Sequence, residues 1–114
     1  MQRKDKNGII IACDFCGTDW DEVLPMIEGH RGSVICLDCV RHALDAVEPG
    51  DAEVECTMCL STVQAGSPRW RRQDAAESAN ADAALCEGCL KQAAGAFSKD
   101  PDVPFVWKRK SKGQ

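Results

Sequence analysis

Eight cysteines constrain this chain more than any other feature, because they fall into four pairs of the form C-x-x-C. No cysteine lies outside a pair. The pairs are Cys13/Cys16, Cys36/Cys39, Cys56/Cys59 and Cys86/Cys89. Two such pairs supply four thiolates, which complete a tetrahedral zinc shell, so four pairs predict two zinc ions with no ligand to spare.

The rest of the sequence favours zinc over other uses of paired thiols. The longest apolar stretch near the start, residues 9–13, is too short for a signal peptide, and no run approaches the ~18 apolar residues of a membrane span. We therefore expect a cytoplasmic protein, in which disulfides are rare. A thioredoxin-like dithiol would accompany a βαβ pattern, which is missing here, and four separated pairs suit two zinc sites better than an iron–sulfur cluster.

The composition makes the metal necessary for folding. Hydrophobic residues are 44% of the 114, but there are only three Trp, three Phe and no Tyr. A repeat of roughly 45 residues with so few large side chains cannot offset its chain entropy, whereas structural zinc contributes ~10–16 kcal/mol of apparent binding free energy. We expect the chain to unfold when zinc is removed.

The cysteine pairs belong to two copies of one pattern, offset by 43 residues. In the first copy 19 residues separate the pairs, and in the second copy 26. After the second pair of each copy, apolar residues recur at i, i+4 and i+7, which predicts an amphipathic helix. These residues are Val40, Leu44 and Val47 in the first copy and Leu90, Ala94 and Phe97 in the second.

Each copy reads as a cysteine turn, a hairpin, a second cysteine pair and a helix, which describes a treble-clef zinc finger. The predicted fold class is a small metal-stabilised α+β protein with two tandem treble clefs. The first module spans 1–50 and includes a basic N-terminal arm, the second spans 51–102, and a basic tail occupies 103–114. Gly17 permits the positive φ that the first cysteine turn needs. Leu60 stands at the matching place, so we expect the second turn to be built differently.

The spacing leaves the pairing of the cysteines open. Each copy could hold its own zinc, as the repeat correspondence favours. Alternatively, the sites could be cross-braced, with the first pair of one copy joined to the first pair of the other. Cross-braced RING-type domains usually include a histidine ligand, whereas His30 and His42 lie outside any ligand vacancy.

An ordered motif runs through the first copy, C-x-F-C-G, E-V, I-x-G and I-C-x-x-C-V, at residues 13–17, 22–23, 27–29 and 35–40. This motif resembles the N-terminal zinc-binding domain of the ClpX protein-unfolding ATPase, over residues 13–48. The second copy keeps only the four ligands and the helix, and no G-x-x-x-x-G-K-[ST] phosphate loop occurs in the sequence. The resemblance implies a module without catalysis that dimerises through apolar surface and binds client or adaptor proteins, among them Clp-type machinery.

The second copy could replace the second subunit that the resemblance implies. The chain would then be an internal pseudo-dimer, with the apolar helix faces of the two copies in contact. The alternative is that each helix covers only its own hairpin. The sequence leaves a monomeric pseudo-dimer and a homodimer both open.

Charge is distributed unevenly along the chain. The formal net charge of −4 combines +2 in residues 1–6 and +4 in residues 108–112, so the body between them carries −10. Two zinc ions held by eight thiolates make the body more acidic still. An acidic body repels phosphate, which disfavours nucleic acid as a partner. The basic ends are expected to be solvated and mobile.

Residues outside the zinc sites could bind a protein partner, and we single out Trp20, Val40, Leu44, Arg69, Trp70 and Phe97. No nucleophile–base pair is evident, so the chain is not predicted to be an enzyme. The favoured function is protein recognition. The alternatives are nucleic-acid binding through the arginines at 69–72 with the basic tail, and a thiol-based redox or zinc sensor.

Overall fold

A computed structural model of the chain describes residues 1–6, 8–73, 79–105 and 107. In the first module, two short hairpins precede a helix. Their elements are β1 Gln2–Asp5, β2 Gly8–Ile11, β3 Met26–Glu28, β4 Val34–Cys36 and α1 Leu37–Ala46. A 3-10 turn at His30–Gly32 joins β3 to β4. Helix α1 follows β4 without a break, because the Cys36 sulfur accepts the backbone N–H of Cys39 and so caps the helix.

Strand β5 Glu48–Pro49 follows α1 at the end of the first module. The second module also has two hairpins before its helix, with shorter strands, but its first hairpin encloses the cysteine turn instead of preceding it. Its elements are β6 Val54–Glu55, β7 Thr62–Val63, β8 Pro68–Trp70, β9 Leu85–Cys86 and α2 Glu87–Lys99. Cys86 caps α2 as Cys36 caps α1. Helix α2 ends before Asp100-Pro101, because the residue that precedes a proline disfavours helical geometry. Within the described residues, neither helix combines the length and the apolar character that crossing a membrane requires.

The strand pairings confirm the α+β fold with two tandem zinc fingers. In the first module β3 pairs antiparallel with β4, and Ile27 lies opposite Ile35. In the second module β8 pairs antiparallel with β9, and Trp70 lies opposite Leu85. The two helices follow β4 and β9 at the same point relative to their cysteines. Strand β5, at the end of the first predicted module, pairs with β8 and so joins the sheet of the second.

The two modules share one core. Helices α1 and α2 pack against each other, and the apolar residues of both are buried in a single cluster. On α1 the buried face includes Val40 and Ala43, and on α2 it includes Leu90, Ala94 and Phe97. The chain is therefore packed as an internal pseudo-dimer, and the alternative in which each helix covers only its own hairpin is wrong.

Reciprocal contacts join the cysteine turn of each module to the hairpin loop of the other. The backbone N–H of His30, in the first module, donates to the Met58 carbonyl at 2.8 Å. The backbone N–H of Asn80, in the second module, donates to the Asp14 carbonyl at 2.8 Å. These contacts give the pair of modules an approximate two-fold relationship in which each turn is held by its neighbour.

The N-terminal arm differs from the expectation of a solvated, mobile segment, and the apolar residues before the basic part of the tail dock on the body. Residues 2–5 form β1, which pairs with β2 from Gln2 opposite Ile11 to Asp5 opposite Gly8. At the other end Val103 is buried, and the Trp107 backbone N–H donates to Ser98 Oγ on α2 at 3.2 Å. The backbone hydrogen bonds of the hairpin and the apolar residues at 103, 105 and 107 account for this order. The basic residues at 108–112 lie outside the described residues.

Candidate metal centres

The eight cysteine sulfurs form two clusters, one in each module. In each cluster the four Sγ atoms lie within 4.8 Å of one another. The clusters are Cys13, Cys16, Cys36 and Cys39 in the first module and Cys56, Cys59, Cys86 and Cys89 in the second. Each module therefore holds its own ligand set, and the cross-braced alternative is wrong. All eight cysteines are free thiols, with no disulfide among them.

The sulfur spacing fits zinc. A Zn–S bond of about 2.3 Å in a tetrahedron places neighbouring sulfurs about 3.8 Å apart. In the first site the Cys13 and Cys39 sulfurs are 3.7 Å apart, as are those of Cys16 and Cys36. In the second site Cys59 and Cys86 are separated by 3.9 Å. Each four-sulfur set can hold one zinc ion and has no vacant position for a further ligand.

Backbone N–H groups point at the same two sulfurs in each site. The first cysteine accepts from the N–H of the third, as Cys13 does from Cys36 at 3.4 Å and Cys56 does from Cys86 at 3.4 Å. The third cysteine accepts from the N–H of the fourth, at 3.4 Å in the first module and 3.3 Å in the second. These donors, two of them on the first turn of a helix, stabilise negative charge on sulfur.

The two cysteine turns have the same geometry, contrary to the expectation drawn from Leu60. The N–H of Gly17 donates to the Cys13 carbonyl at 2.9 Å, and the N–H of Leu60 donates to the Cys56 carbonyl at 2.8 Å. Gly17 has φ 80° and Leu60 has φ 64°. Leu60 therefore occupies the left-handed region that glycine favours, at a cost of roughly 1–2 kcal/mol. The metal-binding turn imposes its backbone on a residue that would otherwise avoid it.

In each module, the polar side chain directly after the first cysteine hydrogen-bonds the segment that leads into the third cysteine and the helix. Asp14 Oδ2 accepts the backbone N–H of Val34 at 2.7 Å. At the equivalent place, Thr57 Oγ1 accepts the backbone N–H of Ala84 at 3.0 Å. The pair was not among the predicted site residues, although both copies place a hydrogen-bond acceptor directly after their first cysteine.

Without a cation the four sulfurs of a site cannot all be charged. Hydrogen bonding with Cys13 lowers the pKa of Cys16 far below its ordinary value, while the same partner raises the pKa of Cys39. Burial alone would raise the pKa of Cys59, but hydrogen bonds with the side chain and backbone of Ser61 bring it to about 6. A divalent cation at the centre supplies the charge that allows all four thiolates to ionise together.

The six residues predicted to bind a partner differ in burial. Trp20 is 45% exposed and Leu44 is half-buried. The other four are buried, and they are Val40, Arg69, Trp70 and Phe97. The partner role of these four residues stays a prediction, since little of each side chain is exposed. All four pack inside the two-module unit. An apolar pattern in a sequence indicates a buried face but does not show which part of the protein covers it.

The arginine-rich segment is occupied by contacts within the protein. The Arg69 guanidinium donates to three backbone carbonyls, those of Ala52, Gln64 and Ser67. Trp70 stacks on Phe15 of the first module, with the ring centroids 5.7 Å apart. Neither side chain is free to stack on a nucleic-acid base.

The geometry defines a zinc-stabilised protein of two treble clefs packed on each other. Residues 11–48 match the family described as the ClpX C4-type zinc finger, which confirms the resemblance seen in the first module. The match covers about a third of the chain and contains the complete first ligand set. No curated protein and no solved structure matches the chain.

Proposed function

We propose that this protein is a non-catalytic recognition module that binds client or adaptor proteins, in the manner that its ClpX-type zinc finger implies. The supporting observation is where apolar surface remains. In the described part of the chain, the large hydrophobic side chains that stay exposed are all in the first module, and they are Ile9, Trp20 and Val23. Trp20 and Val23 lie on one loop, which follows the first cysteine turn, and we call these two residues the Trp20 surface. Exposed aromatic and aliphatic side chains on an ordered scaffold are typical of protein-binding sites.

The loop that carries the Trp20 surface is ordered by its own hydrogen bonds. The Trp20 backbone N–H donates to the Ile11 carbonyl at 2.7 Å, which ties the loop to the end of β2. Asp21 Oδ1 accepts the backbone N–H groups of Leu24 and Val23, both at 2.9 Å. A pre-ordered loop loses less conformational entropy when it binds.

The charge around this loop favours a particular kind of partner. Asp19, Asp21 and Glu22 are exposed beside Trp20. The backbone N–H groups of Leu24 and Val23 lower the pKa of Asp21, so that carboxylate stays charged at neutral pH. A partner segment that combines apolar with basic side chains complements this surface.

One further observation supports a binding role in preference to catalysis, and another supports a cytoplasmic location. Catalytic zinc sites keep one position open for water or substrate, whereas four sulfurs fill each site here. All eight cysteines are unpaired thiols, which a reducing compartment preserves. The partners proposed are client proteins, adaptors or Clp-type machinery.

Site-specific crosslinking tests the proposal. A photoreactive phenylalanine analogue replaces Trp20 in the full chain, and a matched variant carries it at Ala65, an exposed loop position in the second module. We expect discrete protein adducts from position 20 that excess wild-type protein suppresses. Adducts identical for both positions, or none, would contradict the proposal. Salt-sensitive binding of random-sequence DNA or RNA by the wild type would favour the nucleic-acid alternative.

A further inference from the structure

We propose that the two metal centres are inequivalent. The second site is the exchangeable and thiol-reactive one, and the first is held closed by an arginine that the second module supplies. This inference does not depend on the proposed recognition function. It rests on one pair of equivalent positions, Arg72 and Gly29, at the junction between the modules.

The strand registers make Arg72 and Gly29 equivalent. Ile27 pairs with the residue just before Cys36, and Trp70 pairs with the residue just before Cys86. Arg72 follows Trp70 by two residues, and Gly29 follows Ile27 by two. Because each hairpin loop reaches across to the other module, each of these positions lies near the metal centre of its neighbour.

Arg72 covers the first site. Its Nη1 donates to Cys39 Sγ at 3.5 Å and to Asp38 Oδ2 at 3.0 Å. The side chain is 14% exposed, so the guanidinium lies largely out of solvent. A zinc ion with four thiolates carries a net charge of −2, and a cationic donor on one sulfur offsets part of it and makes that sulfur less nucleophilic.

Gly29 leaves the second site uncovered. A cavity of about 460 Å³ lies beside it, with Cys59 and Cys89 in its wall. Gly29 cannot be replaced by a longer residue without movement, since a Cβ there would lie 2.7 Å from the Met58 carbonyl oxygen. The same close approach that joins the two modules therefore excludes a side chain that could cover the second site.

Burial of the sulfurs follows the same asymmetry. In the first site Cys16 is half-buried, whereas Cys13, Cys36 and Cys39 are fully buried. In the second site Cys56 is fully buried, and the half-buried ligands are Cys59, Cys86 and Cys89. Access and charge together set how readily a zinc-bound thiolate meets a competing chelator or a soft electrophile. Both favour reaction at the second site.

The arrangement also orders the loss of the two ions. Arg72 lies in the connection from β8 to β9, and β9 ends at Cys86, a ligand of the second zinc. As long as Arg72 stays over Cys39, the first ion leaves more slowly than the second.

Zinc release from the full, zinc-loaded chain tests the order. A chromogenic chelator in excess reports release over time, and iodoacetamide pulses followed by mass spectrometry locate the sulfurs exposed. In each alkylation an S–C bond forms, iodide leaves and zinc loses a ligand. We expect two phases of one equivalent each, with alkylation of the second cluster in the first phase. A single phase, or first labelling at residues 13–39, would overturn the proposal.

Two arginine variants test whether Arg72 slows the release of zinc from the first site. In Arg72→Gln we expect the slow phase to accelerate about tenfold, consistent with loss of one charge-assisted hydrogen bond, while the fast phase is unchanged. Arg71→Gln is the matched control, because Arg71 is exposed and donates to Ala81 of its own module. Equal slow phases in the two variants would contradict the role of Arg72. If Arg72→Gln fails to fold by circular dichroism, the release order of the wild type decides the proposal alone.

Discussion

Phe15 and Trp70 stack across the junction of the two modules, with ring centroids 5.7 Å apart and 28° between the ring planes. Phe15 belongs to the cysteine turn of the first module, and Trp70 belongs to β8 of the second. Both are almost completely buried. The contact joins the metal-binding turn of one module to the sheet of the other, so neither module keeps its full core alone.

We expect Trp70→Ala to lower the free energy of unfolding of the zinc-loaded protein by about 3–5 kcal/mol, as truncation of a buried aromatic residue does. Urea denaturation followed by circular dichroism measures it. Trp20→Ala is the control, since Trp20 is 45% exposed and its loss should change stability by about 0.5 kcal/mol or less. Similar effects for the two tryptophans would contradict the shared core.

Zinc removal should unfold both modules. We expect elemental analysis to find two zinc ions per chain, because each cluster provides four sulfurs within 4.8 Å. After removal by a strong chelator, the helical signal in circular dichroism should fall, since the sulfur-capped ends of α1 and α2 lose their anchor. An unchanged spectrum after verified metal loss would contradict the prediction.

The ligand sets could be predicted from the sequence because metal ligation depends on short, local spacing. C-x-x-C turns and cysteines at helix starts are set by neighbouring residues, so the two clusters and both helices follow from the pattern. The resemblance of the first module rested on the same local spacing.

Contacts between the modules could not be predicted in this way. Arg72 meets Cys39 across 33 residues of sequence, and nothing near either residue signals the other. The sequence predicts Val40 and Phe97 as apolar helix positions, but it leaves open whether the two helices pack on each other, as they do in the shared core. The prediction that Leu60 gives the second turn a different geometry is wrong, because the preference for glycine is a local tendency that the closure of a metal-bound turn overrides.

Removing the strain at Leu60 should stabilise the protein. Leu60→Gly relieves a positive φ of 64°, and we expect the free energy of unfolding to rise by about 1 kcal/mol. Thr62→Gly, in the neighbouring strand β7, is the matched control and should destabilise by about 0.5–1 kcal/mol, because it adds flexibility without relieving strain. Thermal melts of the zinc-loaded variants give the comparison. Destabilisation by both substitutions would show that the Leu60 side chain contributes more through packing than its backbone strain costs.

The hydrogen bonds made by Asp14 and Thr57 should support their own modules. Asp14→Ala leaves the buried N–H of Val34 without its acceptor, and we expect a loss of about 1–3 kcal/mol. Thr57→Val removes a neutral acceptor at 3.0 Å from the Ala84 nitrogen, with an expected loss of about 1 kcal/mol. Denaturant titration measures both. A smaller effect for Asp14→Ala than for Thr57→Val would contradict the stronger role of the buried carboxylate.

The internal packing of the helices predicts a monomer. A homodimer needs an exposed apolar face on each copy. The candidate faces lie around Val40 on α1 and Leu90 on α2, and within one chain they are buried against each other. Sedimentation at several concentrations should therefore give the mass of a single 12.4 kDa chain throughout. Trp70→Ala opens the junction between the modules, so this variant should self-associate at concentrations where the wild type does not. A wild-type mass that doubles with concentration would mean that another surface joins the copies, and Trp20→Ala would then show whether that surface includes the exposed indole.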